Sequence, residues 1–368
     1  MTEFERKIDH KLILSIIAAG IMSFSGVVVE TAMNVTFPTL MKEFQVGTST
    51  VQWITTGYLL GWRMIFVVLL PLLILSLFFG LSSIRQVSAT EKLAFGWQDY
   101  LLLVLGFAAM IFGINLASSY GWISLPVLLL LAVSAASLVL FYRRSLCSKS
   151  PLIRVQVLRY TPFSLSVMVI LLVQFICLGM GFLIPNYAQL ASGENAFISG
   201  CLLLPGCIVG AVLSPFGGKL LDRVGAKTPI LTGNVSVIVS AVCFALFLGK
   251  SGLLMITGFY IFFALGQAFS MGTTMTNGLS ALPQELTSDG NAVINTVQQL
   301  AGAIGTAVCS TIVAASQASA HTMAAGTTTG TIHAFLLLAA LAILTLGCSS
   351  SVFYSQARKL PAGAIESR

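Results

Sequence analysis

The sequence predicts an all-α fold, a polytopic membrane helical bundle of about ten transmembrane helices with both termini cytoplasmic. Three observations lead there. Of the 368 residues 57% are hydrophobic and only 8% are charged, with a mean hydropathy of +0.95, whereas soluble domains carry roughly a quarter charged residues. The apolar residues gather into runs of about 20, the length a helix needs to cross a hydrocarbon core of about 30 Å. Lysine and arginine collect in alternate connections between those runs, as insertion requires of cytoplasmic segments. Lipid is therefore the expected solvent and membrane lipids the expected surroundings. The net charge of +7 follows from topology and implies no nucleic-acid partner.

Taken in order, residues 1–11 are polar and mixed in charge. The apolar run that follows is too long for a signal peptide and lacks a small-residue cleavage site, so it is expected to stay attached as the first span. Candidate spans lie near 12–34, 63–82, 100–118, 122–142, 163–186, 196–216, 228–249, 252–275, 298–316 and 332–354. With the N-terminus inside, sixteen of the nineteen basic residues fall in inner segments; Lys42 and Lys250 lie outside, and Arg63 sits at an outer boundary. The longest inner connection, Tyr142 to Pro162, carries five bases and is read as an anchor for anionic head groups.

The second span sets a length problem. A single helix from Val51 to Leu81 would reach about 46 Å at 1.5 Å per residue, well beyond the core. Placing Arg63 near the bilayer centre costs roughly 2.5 to 3.5 kcal/mol on insertion scales. Met64 to Leu81 are therefore expected to span, leaving Trp53, Tyr58 and Trp62 at the head groups.

Few residues invite chemistry. The seven cysteines show no CxxC or Cys/His ligand spacing and read as small packing residues, implying neither metal nor disulfide. His10, His321 and His333 lie far apart, and no GxxxxGK[ST] loop is present. The expectation is that the protein is not an enzyme and holds no cofactor. Gly206, Gly210 and Ser214, like Ala301, Gly305 and Cys309, recur every four residues and predict close helix contacts. The amides of Gln174, Asn115, Asn234, Gln267 and Asn277 either line a substrate cavity or bond between helices.

Glu30 is the one carboxylate well inside a predicted span. It either faces a polar cavity and carries protons or marks a wet outer interface where the first helix ends. Residues 217 to 227, with Gly217, Gly218, Lys219, Asp222, Arg223, Gly225 and Lys227, combine glycine and charge between two apolar runs and read as a tight charged turn. Its basic residues obey the positive-inside rule, but Asp222 does nothing for orientation. That carboxylate is expected to pair with a neighbouring base or cap the start of a helix.

Gly218, Asp222, Arg223, Gly225 and Lys227 match in order the Gly-x-x-x-Asp-Arg-x-Gly-Arg-type loop of the major facilitator superfamily, which the chain resembles. The resemblance extends over Gly200 to Gly206 with Ser214-Pro215, over Asn291 to Gly305, and over Glu30 to Pro38 followed by Gln52 to Leu60. These segments look like the fourteen-helix drug:proton antiporter branch, in the form found in lincomycin-resistance-type exporters. The resemblance implies a cytoplasmic latch at Gly218, Asp222, Arg223, Gly225 and Lys227. It also implies a first-helix motif containing Thr31, Asn34 and Pro38, and a proton-coupling role for Glu30. Protons would be the coupling ion and a small amphipathic compound the substrate, with the protein in the bacterial cytoplasmic membrane.

After Leu60 the chain passes at once to Gly61-Trp62-Arg63, which resembles the start of the family's sixth helix, so about four helices are missing. The expected organisation is a remnant of the N-terminal half over 1–82, two central helices and the basic linker over 83–162, and a six-helix half over 163–368. Two functions follow: proton-driven efflux of amphipathic drugs or antibiotics, or a shortened, transport-inactive protein that is at most passive or partner-binding. A homodimer that rebuilds a two-sided cavity is a further possibility.

Overall fold

The computed structural model describes residues 63–83, 96–148 and 151–357. Glu30, Thr31, Asn34, Pro38, the first predicted span and the Leu60/Gly61 junction lie outside the described residues. Two compact units divide the chain, one reaching to Leu93 and the other from Ala94 onward. In the first, helix α1 covers Arg63–Ser83 with Pro71 inside it, taking in the span expected over 64–81. Its 21 residues extend about 31 Å, enough to cross the hydrocarbon core.

In the second unit, eight described segments are long and apolar enough to cross a membrane, and they coincide with the last eight predicted runs. Helices α2 (Trp97–Tyr120) and α3 (Leu125–Cys147) form a hairpin through Gly121, whose φ of +81° suits glycine. A 3₁₀ turn at Val155–Arg159 leads into α4 (Thr161–Leu190). Then come the short α5 (Ala196–Cys201), α6 (Leu204–Val224), α7 (Lys227–Phe247), α8 (Leu253–Ser280), α9 (Thr287–Ser319) and α10 (Met323–Ala357).

Several boundaries differ from the hydropathy reading, two of them for identifiable reasons. The run 196–216 is divided at Leu202 and Leu203 because Pro205, in the first turn of α6, cannot donate a backbone hydrogen bond to the turn before it. Asn195 caps the first piece by accepting from the Ile198 N–H at 2.8 Å. Helix α9 begins eleven residues before its predicted run and has 33 residues, about 50 Å and longer than the core. The extra turns are polar, with Asn295 Nδ2 donating to the Asn291 carbonyl at 2.9 Å, so composition hides a helix that geometry continues.

Helix α4 is the hub and packs against α8, α9 and α10, with Phe163, Ile170, Ile176, Met180 and Phe182 fully buried. Helix α7 joins the hub through α8 and α10, where Phe244 stacks on Phe335 at 4.5 Å between centroids. Helix α6 lies on α8, and the α2–α3 hairpin meets the bundle at α9. Small residues set these contacts. A Cβ at Gly233 would stand 2.7 Å from the Gly266 carbonyl, and one at Gly266 would stand 2.5 Å from that of Gly233, so α7 and α8 cross backbone to backbone. The two predicted stripes serve the same end: Gly206 faces the Tyr260 ring on α8, and Gly305 faces the Phe175 backbone on α4.

The basic linker, read from the sequence as an anchor for head groups, has a packing role in the structure. Val157 is fully buried in an apolar cluster with Phe163, Val167, Ile170, Leu282 and Ile294. Ser145 Oγ donates to the Ile153 carbonyl at 2.6 Å, while Asp289 accepts from the Arg154 N–H at 2.9 Å and lies 3.7 Å from its guanidinium. The linker thus straps the end of α3 to the start of α9. Its apolar residues carry that role, and a count of basic residues could not show it.

Candidate functional site

The charged turn is shorter than its sequence suggests. Helix α6 runs through Gly218, Asp222 and Arg223 to Val224, and α7 resumes at Lys227, leaving only Gly225 and Ala226 between them. Leucines 220 and 221 and Val224 keep the segment helical. Gly225 ends it with φ +78° and ψ 174°, a region essentially restricted to glycine. Gly225→Ala is expected to cost about 1 to 3 kcal/mol, read as a fall in the unfolding temperature of the purified protein; an unchanged temperature would contradict this backbone geometry.

Asp222 departs from its expected role. It occupies the last turn of α6, not the start of a helix, and both it and Arg223 are exposed. Among the described residues the ion pairs are Arg144–Asp99 and Arg154–Asp289, and neither includes Asp222 or Arg223. The carbonyl end of a helix disfavours a carboxylate by about 0.3 to 1 kcal/mol at an exposed position. Asp222 is therefore held where neither its own helix nor a described neighbour rewards it. Gly217 is needed for packing, since a Cβ there would stand 2.9 Å from the Ala268 carbonyl, whereas a Cβ at Gly218 would meet open space.

A second charged feature escaped the hydropathy reading. Helix α2 starts at Trp97, which brings Asp99 into its first turn with 4% exposure. Its carboxylate accepts from Arg144 Nε at 3.0 Å, and Arg144 Nη2 also donates to Gln98 Oε1 at 2.6 Å. The N-terminus of α2 favours this anion, and the pair clamps one end of the α2–α3 hairpin. The available signal was an Asp at the head of one run and an Arg at the foot of the next.

The structure also sorts the amides. Asn234 is completely buried, donating to Ser349 Oγ at 2.6 Å and accepting from Ser270 Oγ at 2.7 Å. It ties α7, α8 and α10 together. Asn277 borders a crevice with Ser166, Thr274 and Ser349 that has no room for a water molecule, and so none for a drug-sized ligand. The side chain of Asn115 lies outside the described residues.

Gln174 and Gln267 differ from these. Each is half-buried near the middle of its helix, α4 and α8 respectively. Gln267 Nε2 donates to Cys177 Sγ at 3.0 Å, a weak acceptor, and Gln174 lies three residues before that cysteine on neighbouring helical surface. Among the described residues Gln174 has no hydrogen-bond partner. Two turns toward the N-terminus of α8, the Tyr260 hydroxyl lies 3.9 Å from Cys207 Sγ. Among the described residues these polar groups, two at mid-helix and one two turns away, leave part of their hydrogen-bonding capacity unused, where hydrocarbon could not satisfy it.

The bundle, the charged turn and the mid-helix polar groups define a class first, a multi-pass helical membrane protein built like a transporter. Comparison with known proteins then fixes the family. Residues 57–306 match the Major Facilitator Superfamily, and the chain belongs to it. It is 35% identical over 299 residues to the lincomycin resistance protein LmrB of Bacillus subtilis, covering 78% of this chain and 62% of that protein. It is also 31% identical over 291 residues to the uncharacterised MFS-type transporter YcnB of the same organism, covering 77% and 61%. With the multidrug resistance protein Stp of Mycobacterium tuberculosis it shares 27% identity over 255 residues, covering 69% and 47%. The chain thus spans less than two thirds of the length of each of these relatives. Family and helices together make it a multi-pass protein of the bacterial plasma membrane, related to drug-resistance transporters.

Proposed function

We propose that the protein exports small amphipathic drugs or antibiotics across the bacterial plasma membrane, driven by the proton gradient. The observation that carries this reading is the pair Gln174 and Gln267 at mid-helix depth, with Tyr260 two turns further along α8, since transporters of this architecture place their substrate near the midplane. The names of the relatives supply the compound class, since LmrB and Stp are named for lincomycin and multidrug resistance. Glu30 is proposed as the carboxyl that loads and releases a proton, and Asp222 with Arg223 as a latch that engages in one conformation and stands free in another.

These roles are tested together in cells by measuring drug accumulation. Glu30→Gln is expected to abolish proton-coupled export, and unchanged export would remove Glu30 from the mechanism. Asp222→Asn separates latch from fold: stability should stay within about 0.5 kcal/mol, as for surface changes generally, while export falls severalfold. Wild-type export by Asp222→Asn would reduce that residue to a surface charge.

The second reading, a shortened chain without transport activity, draws on one observation: alignment with LmrB covers 62% of that protein. On this reading the polar pair survives as a binding surface with no opposing gate. A homodimer supplying the missing side is compatible with either reading, and the oligomeric state of the purified protein tests it.

A further inference from the structure

We infer that the face of α6 turned away from α8 holds an anionic phospholipid of the inner leaflet, with its phosphate between Lys219 and Arg223 and an acyl chain along the apolar stripe that leads to them. Leu204, Ile208, Val212 and Phe216 follow at every fourth position of α6 and form one line along the helix. Each is more than half exposed among the described residues. The helix makes its contacts with α8 through the face two residues round, where Gly206 meets the Tyr260 ring and Gly217 the Ala268 carbonyl. From Leu204 to Phe216 the stripe rises about 18 Å, slightly more than one leaflet's half of the roughly 30 Å core. It then ends in charge. Lys219 follows Phe216 by three residues and Arg223 follows Lys219 by four, so both bases continue the same line.

Two features separate this patch from a scatter of bases that obey the positive-inside rule. The Lys219 ammonium lies 5.4 Å from the centre of the Phe216 ring, close enough for attraction to its face. A lysine with water as its only partner extends away from hydrocarbon, whereas this one leans back over the last ring of the stripe. The cation therefore stands where the headgroup of a lipid lying along the stripe arrives. The second feature is the balance of charge. Lys219, Arg223 and Lys227 stand against one carboxylate, Asp222, and all four are exposed, so the turn is net positive at the membrane surface. A phosphate diester with no compensating amine answers that excess, and each base near the surface adds to the attraction. Phosphatidylethanolamine, whose amine cancels its phosphate, leaves it unanswered. The site stands apart from Gln174 and Gln267 and holds its lipid whether or not the chain transports.

The test uses the purified full-length protein in phosphatidylcholine nanodiscs, with phosphatidylglycerol carrying a diazirine on one acyl chain as the probe. After illumination, labelled peptides are quantified at rising probe fractions. Saturable labelling of residues 204–216 is expected, displaced by unlabelled phosphatidylglycerol but by neither phosphatidylethanolamine nor inorganic phosphate. Lys219→Gln and Arg223→Gln should each raise the probe fraction for half-labelling about fivefold, the worth of one base near a membrane surface, and Asp222→Asn should lower it. Leu128 and Val133, exposed on α3 and remote from its arginines, report unspecific lipid contact, and their labelling should not change in any variant. Labelling of α6 no stronger than at these two positions, which a protein segment covering the stripe would also give, overturns the inference. So does equal displacement by phosphatidylethanolamine, displacement by inorganic phosphate, or indifference to both glutamine variants.

Discussion

Gly266→Ala lowers the stability of the bundle, although alanine is the better helix former by about 1 kcal/mol. The deciding term is steric. The new Cβ stands 2.5 Å from the Gly233 carbonyl and within 2.9 Å of the Val237 nitrogen, and both are backbone atoms of a neighbouring helix that cannot rotate away. Separating α7 from α8 to make room costs about 1 to 3 kcal/mol or more, which outweighs the propensity gain. Gly266→Leu should remove the folded form altogether. Gly258, on the same helix, has open space at its Cβ position, so Gly258→Ala is expected to be neutral or slightly stabilising. Fluorescence-detected size exclusion after heating reads all three, and equal behaviour of Gly258→Ala and Gly266→Ala would contradict the crossing.

The second large effect centres on Asn234. Replacing it with leucine removes two bonds, yet Ser349 Oγ keeps its 2.8 Å bond to the Thr345 carbonyl, and the Ser270 hydroxyl can turn to its own helix. A loss of about 1 kcal/mol follows, in the range of interhelical hydrogen bonds in membranes. Asn234→Asp is the harsher change despite its near-identical shape. It removes the N–H that Ser349 accepts and places a carboxylate at a position with 0% exposure. Insertion scales set the cost of an intramembrane aspartate at up to about 3 kcal/mol. The expected order of unfolding temperature is wild type, then the leucine variant, then the aspartate variant. An aspartate variant as stable as wild type would mean that the network is open to water.

The spans were legible because hydropathy is summed over about 20 residues, so no single side chain decides it. Boundaries were less so. Leu220, Leu221 and Val224 carry α6 past the point where charge suggested a turn, and only Gly225, with its glycine-restricted backbone, ends the helix. The small-residue stripes were readable because close approach leaves a four-residue period, seen in Gly206 against Tyr260. The site was harder. Gln174, Gln267, Asn234 and Asn277 are equivalent amides in the sequence, and what separates them is three-dimensional: Asn234 finds two serines, while Gln267 finds a thiol. Asp99 lay one residue outside its predicted run, and its burial depends on an arginine 45 positions away. The linker's role was hidden for the same reason, since Asp289 reaches Arg154 across 135 residues.

Reconstitution tests the central claim most directly. The purified chain is placed in vesicles holding a pH-sensitive dye, a pH gradient is imposed, and amphipathic compounds are added one at a time. Drug-dependent proton movement that Glu30→Gln abolishes is the predicted result. Proton leak identical with and without drug, across neutral, cationic and lincosamide-like compounds alike, would contradict it and leave a membrane protein that keeps the family's fold without its transport.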